Sequence, residues 1–177
     1  MVLRKLQDLG AVIIEADRIG HDVLEPGGSS YEAVVEHWPS VVVEERIERR
    51  LLAAIVFSDP DQLALLESLT HPAIRSEIAN RVDAAGESDV ALELPLSSDL
   101  AGSGWTRIVV DAPASLRVRR AVARGMSEED ATNRLAVQPD RGQWLDGADL
   151  VIENTGSIED LEADVEALWQ KLKHGSS

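Results

Sequence analysis

The run Ala11-Val-Ile-Ile14 constrains this chain more than any other stretch. It is a set of β-formers too short for a helix, and Gly10 introduces it. Two acids follow, Glu15 and Asp17, and a strand continued through them would carry both on one face because its side chains alternate with a period of two. A helical stretch comes next, and Pro26-Gly27-Gly28 stops it. Acids at the carboxyl end of a strand, just before a helix, lie where open α/β sheets hold ligands. Asp17 also suits the N-cap of a helix beginning at Arg18, and the local pattern taken alone favours the cap.

The same alternation recurs along the chain. Residues 1–9 read as a helix with Val2, Leu3, Leu6 and Leu9 on one face, and residues 29–85 read as mostly helical. Within that segment a short helix covers 31–38 and another covers 47–57. A third starts at Ser58-Asp59-Pro60, is interrupted at Pro72, and resumes to Gly86. Strands are expected over 90–94, 107–111 and 150–152, and helices over 116–124 and from Ser127 to about Gln138. Residues 139–147 read as loop, and Ser157–Asp160 opens an amphipathic final helix. Strands alternating with helices imply one α/β domain, a parallel sheet with helices on both faces and a helical insertion at 29–85.

Charge narrows the partners. The formal charge of −15 disfavours binding nucleic acid or an anionic membrane through bulk electrostatics, but a local arginine cluster can still hold a small phosphorylated ligand. Arg117, Arg120 and Arg124 recur at spacings of three and four and so share one helix face; Arg119 lies off it, and Arg134 and Arg141 follow. Guanidinium forks suit phosphate oxygens. The same spacing equally suits a solvated face paired with Glu128, Glu129 and Asp130, and the pattern leaves both open. The sequence has no cysteine, which fits a reducing compartment, and no apolar stretch near the roughly 20 residues of a membrane span.

Several of these stretches, in order, resemble the dephospho-CoA kinase family. Leu9-Gly-Ala, the strand, Glu15-Ala-Asp17 and the later Pro26-Gly27 are similar to the segment after that family's first helix, with Glu15 in place of the usual aspartate. The resemblance implies that Asp17 is the base acting on the acceptor hydroxyl and that Glu15 helps hold the Mg2+ that accompanies ATP. Residues 114–147, with Arg124-Gly-Met-Ser-Glu-Glu-Asp130 and Arg134-Leu-Ala-Val-Gln138, resemble its lid, which makes Arg117, Arg120, Arg124, Arg134 and Arg141 candidate phosphate contacts. Trp144 stands where the family often has a further arginine. Asn154-Thr-Gly156 resembles its Asn-x-Gly loop, placed near the adenine. Arg49 to Phe57, Asp59-Pro60 and Leu69-Thr-His71-Pro72 resemble the insertion that receives the CoA moiety, giving Arg49 and His71 as substrate-binding residues. His71 is read as shaping the helix break or positioning substrate, not moving a proton. Pro95-Leu-Ser-Ser-Asp99 resembles a Pro-Leu-Leu-x-Glu segment, which adds Pro95 and Asp99.

The resemblance implies a P-loop nucleoside-kinase-like, three-layer α/β/α domain over 1–177, with ATP and dephospho-CoA as substrates. It further implies a cytoplasmic protein that is a monomer or weak homo-oligomer. One family hallmark is missing from the sequence: no G-x-x-x-x-G-K-[ST] phosphate loop occurs in it. Met1 to Leu6 aligns with the helix after that loop, so the family's central first strand and its phosphate-binding amides are expected to be absent. The expectation is an incomplete kinase of impaired activity, which an added upstream strand and loop would restore. A non-catalytic CoA- or nucleotide-binding protein and a plain interaction domain are the rival readings.

Overall fold

The β-branched run forms a strand, β1 (Val12–Glu15), whose register with β4 (Val90–Glu93) is parallel: Val12 faces Val90, and Glu15 faces Glu93. The computed structural model describes residues 1–94, 100–136, 138 and 140–175. By its internal packing the chain divides into two compact units, residues 11–102 and residues 1–10 with 103–177.

In the unit of residues 11–102, β1 runs directly into α2 (Ala16–Asp22), followed by α3 (Tyr31–His37) and a 3₁₀ turn at Pro39–Val41. The hairpin of β2 (Val42–Val43) and β3 (Arg46–Ile47) comes next, then α4 (Arg49–Val56), α5 (Pro60–Ala85) and β4. Two apolar clusters fill this unit. Ile14, Ala16, Ile19, Val23, Ile74 and Ile78 form one; Val34, Trp38, Val41, Ile47, Leu52 and Val56 form the other. Helix α5 serves both, because Ile74 and Ile78 enter the first while Leu63, Leu66 and Leu69 pack on the second.

The other unit brings α1 (Val2–Asp8) against the final helix α9 (Ile158–Gly175). Val2 and Leu6 pack there on Ile152, Leu161 and Val165, and Lys5 Nζ lies 2.8 Å from Glu166 Oε2. Its strands β5 (Ile108–Asp111) and β6 (Leu150–Glu153) are parallel, with Asp111 opposite Glu153. Between them come α6 (Ala114–Ala123), α7 (Glu128–Ala136) and α8 (Arg141–Asp146). Each parallel ladder has two strands, so β4 and β5 each keep one edge without a ladder partner among the described residues. Among those residues, no helix is long and apolar enough to cross a membrane.

Four local expectations change. Asp17 neither continues the strand nor caps the helix, because α2 starts two residues early at Ala16; Asp17 sits in its first turn, where a carboxylate meets the positive helix end. Pro72 does not interrupt α5. A proline inside a helix costs about 3 kcal/mol. Burying Ile74 and Ile78 returns about 1.5–3 kcal/mol each, which outweighs it. Residues 139–147 are not all loop: Asp140 caps α8, its Oδ1 accepting from the Gly142 amide at 2.6 Å. The hairpin within 29–85 is also new, and its turn places Glu44 and Glu45 at φ +48° and +61°, a left-handed region unusual for glutamate. The Tyr31 hydroxyl donates to the Glu45 carbonyl at 2.6 Å and holds that turn.

Candidate active site

In the unit of residues 11–102 the candidate chemistry gathers around the end of β1. Glu15 is the last residue of the strand, its side chain exposed and making no cap bond to α2. Asp17 is exposed in the first turn of that helix. Glu93, which the sequence pattern did not single out, lies beside Glu15 at the carboxyl end of the neighbouring strand. Like charges directly opposite one another in a sheet repel. A cation between them would remove that cost, and the only advance sign of Glu93 was the rule already applied to Glu15, an acid at a strand's carboxyl end.

No group of three or more His, Cys, Asp or Glu side chains among the described residues is arranged to hold a metal ion. That does not disqualify Mg2+, which in kinases commonly takes one or two carboxylates and fills its octahedron with water and substrate phosphates. The pair Glu15 and Glu93 matches that donor set.

One turn beyond Asp17, His21 points from the exposed side of α2. Its Nε2 accepts a hydrogen bond from Nη2 of Arg49, the first residue of α4. The structure thus joins a residue predicted to bind substrate, Arg49, to one the sequence reading passed over. His71 is half-buried within α5, immediately before Pro72. Pro95 and Asp99 lie outside the described residues.

In the second unit the predicted arginines part company. Arg120 donates from Nη1 to the Asn154 carbonyl (2.9 Å) and Oδ1 (2.8 Å), and from Nη2 to the Gly156 carbonyl (3.1 Å). Three predicted residues thereby meet in one clasp, which fixes the loop after β6 to α6. Arg117 donates from Nη1 to Gln138 Oε1 at 3.0 Å and lies over the Trp144 ring, 5.0 Å from its centroid. Buried within that stack, Arg117 Nε and Trp144 Nε1 have no acceptor among the described residues. Arg141 grips Asp111, while Arg124 and Arg134 are exposed. None of the five arginines pairs with Glu128, Glu129 or Asp130 among the described residues; Asp130 is bonded to Ser127 instead.

The Asp111 carboxylate is buried at the carboxyl end of β5. Its hydrogen bonds from Arg141 hold its pKa below the usual carboxylate range; burial opposes this, and the Arg141 and Arg117 charges and the Ala112 amide add to it. Asp160 is held low as well, by the Ser157 amide and then its hydroxyl in the capping box that opens α9.

Comparison with known proteins gives one consistent result. The family model described as dephospho-CoA kinase matches residues 1–160. A dephospho-CoA kinase of Frankia casuarinae is 35% identical over 168 residues, covering 92% of this chain and 73% of the relative. Among solved structures, TT1252 from Thermus thermophilus superposes with a TM-score of 0.83 at 33% identity, covering 97% of this chain and 90% of that one. A dephospho-CoA kinase from Campylobacter jejuni superposes with a TM-score of 0.68 at 25% identity, covering 99% and 92%.

Proposed function

This chain belongs to the dephospho-CoA kinase family and has that family's P-loop kinase fold, and we propose that it transfers the γ-phosphoryl group of ATP to the ribose 3′-hydroxyl of dephospho-CoA. The observation that supports the assignment of roles is the position of Asp17: an exposed carboxylate two residues past the end of a parallel strand, at the positive end of a helix. There it accepts the proton of the 3′-hydroxyl as that oxygen bonds to the γ-phosphorus and the bridge to ADP breaks.

Glu15 with Glu93 would hold the Mg2+ that accompanies ATP, and the ion would supply charge neutralisation at the nucleotide phosphates. Segment 29–85 is the acceptor-binding insertion in this reading, with Arg49 and His71 on the acceptor side; Pro95 and Asp99 keep the same assignment. Segment 114–147 is the lid. Arg124 and Arg134, facing solvent, are assigned to phosphate. Arg120 is assigned to holding the Asn154–Gly156 loop for the nucleotide, with Arg117 and Arg141 setting the shape of the lid. A cytoplasmic protein, monomeric or weakly self-associating, completes the reading.

Calorimetry with dephospho-CoA and with ATP, followed by a transfer assay, tests it. Binding of dephospho-CoA is the expected result, with ATP binding and formation of CoA raised when an upstream strand and phosphate loop are fused, and failure to bind dephospho-CoA would sink the reading. The sequence holds no G-x-x-x-x-G-K-[ST] loop, an observation that favours a second reading as a non-catalytic relative that keeps only the acceptor site. Dephospho-CoA binding without ATP binding, unchanged when a phosphate-loop segment is fused upstream, would select it.

A further inference from the structure

We propose that His21 and Arg49 together seat the phosphoryl group on the 5′ side of the acceptor's ribose, one helical turn from the base that acts on its 3′-hydroxyl. The inference rests on the kinase reading above and adds to it the part of the substrate that the acceptor site recognises.

The contact itself points to an anion. Arg49 donates to Nε2 of His21, so the neutral ring carries its proton on Nδ1. Both side chains are exposed, and that Nδ1–H and the remaining guanidinium N–H groups have no carboxylate within ion-pair distance among the described residues. Three acids of the same unit are engaged elsewhere. Asp22 lies 3.5 Å from Arg81, Glu77 lies 2.8 Å from the same guanidinium, and Glu25 lies 3.2 Å from Arg46. The side-chain partner of Arg49 among the described residues is thus a histidine ring and not an acid, in a chain with 32 acidic and 17 basic residues. Convergent donors without a carboxylate suit phosphate oxygens, which accept charge-assisted bonds from both.

Spacing identifies which phosphate. His21 is four residues after Asp17, so the two share one face of α2 and stand about 6 Å apart along its axis. The 3′-hydroxyl and the 5′-phosphate of a nucleotide hang from the same sugar ring, a handful of bonds apart. One helix face can therefore meet the reacting hydroxyl with Asp17 and the first phosphoryl of the diphosphate with His21 and Arg49. The acceptor selected in this way is a nucleotide, and a nucleoside with the same ribose lacks the group that is held.

The test compares dephospho-CoA with adenosine, which keeps the base and ribose but has no 5′ phosphate, by calorimetry on the full chain. His21→Ala and Arg49→Ala should each weaken dephospho-CoA binding about tenfold or more, the size of a lost charge-assisted bond, and leave adenosine affinity within about twofold. The double variant should lose less than the product of the single losses, because each side chain holds the other. His21→Gln, which can still accept from Arg49, should recover part of the loss. In turnover the defect should appear in KM with kcat retained. Equal losses for both ligands, or unchanged dephospho-CoA affinity, would overturn the seat while leaving the kinase reading intact. A wild-type chain that binds no dephospho-CoA would overturn both.

Discussion

Arg141 closes on the buried carboxylate of Asp111 with three hydrogen bonds, Nε to both carboxylate oxygens at 3.0 Å and Nη2 to Oδ2 at 2.5 Å. The partners are 30 residues apart and join α8 to the end of β5.

Removing the guanidinium strands the carboxylate, so Arg141→Ala should lower the melting temperature at neutral pH more than the double variant Arg141→Ala/Asp111→Asn does. The pH dependence has a definite sign. Asp111 has a depressed folded pKa, so its contribution is fully present above the unfolded carboxylate value of about 3.9 and fades as pH falls through the lower folded value. The melting-temperature gap between wild type and Arg141→Ala should therefore hold steady from pH 7 to about 5 and narrow below about 4, as thermal melts across that range would show. A gap that widens in acid would contradict the pairing.

The left-handed glutamates of the hairpin give a stabilising prediction. Glu44→Asn with Glu45→Gly supplies the residues that a two-residue turn of this geometry prefers, and should raise stability by about 1 kcal/mol in urea titrations. Keeping the Tyr31 bond to the Glu45 carbonyl requires no side chain at 45, so nothing is lost in exchange.

Neighbouring glycines should respond differently to alanine. At Gly28 an added Cβ would fall 2.5 Å from the Asp22 carbonyl oxygen and 2.6 Å from that of Val23, both backbone atoms that cannot swing aside. Gly28→Ala should cost about 2–3 kcal/mol by denaturant midpoint. Gly27, at φ +83° with open space around it, carries only the conformational penalty, about 1 kcal/mol.

Asp17→Asn should reduce phosphoryl transfer by about a hundredfold to ten-thousandfold while leaving dephospho-CoA affinity nearly unchanged, because the amide keeps the shape of the site and loses the base. Parallel loss of binding would make Asp17 a substrate contact or a helix-end acid.

Arg120→Ala removes the bonds to Asn154 and Gly156, and should speed hydrogen exchange in the loop after β6 and weaken ATP binding about tenfold. Unchanged exchange in that loop would mean the clasp contributes nothing to its order.

What the sequence disclosed was local. The Ser127–Asp130 and Ser157–Asp160 boxes were readable because both partners lie within one turn; the second forms both reciprocal bonds, and in the first the Asp130 amide donates to the Ser127 hydroxyl, which donates in turn to the Asp130 carboxylate. Asp17 was readable as a strand-end acid, although its place in the helix rather than the strand depended on where α2 began. The β2–β3 hairpin escaped notice because Glu44 and Glu45 are not turn residues, and the surrounding contacts impose their conformation. Pro72 misled because the break it favours is outweighed by Ile74 and Ile78, whose burial depends on distant partners. The spacing of Arg117, Arg120 and Arg124 gave a shared face but not their separate destinations, since Gln138 and Asn154 are 21 and 34 residues away. The Arg49 contact with His21 spans 28 residues and left no local trace.

The uninterrupted run of α5 has a bearing on how residues 11–102 come apart. A single rod carries one wall of each apolar cluster, so neither half can loosen without stripping its neighbour. Amide protons from Leu63 to Ile78 should consequently exchange as one cooperative block, and a protease able to nick any part of that rod must wait for the whole unit to melt.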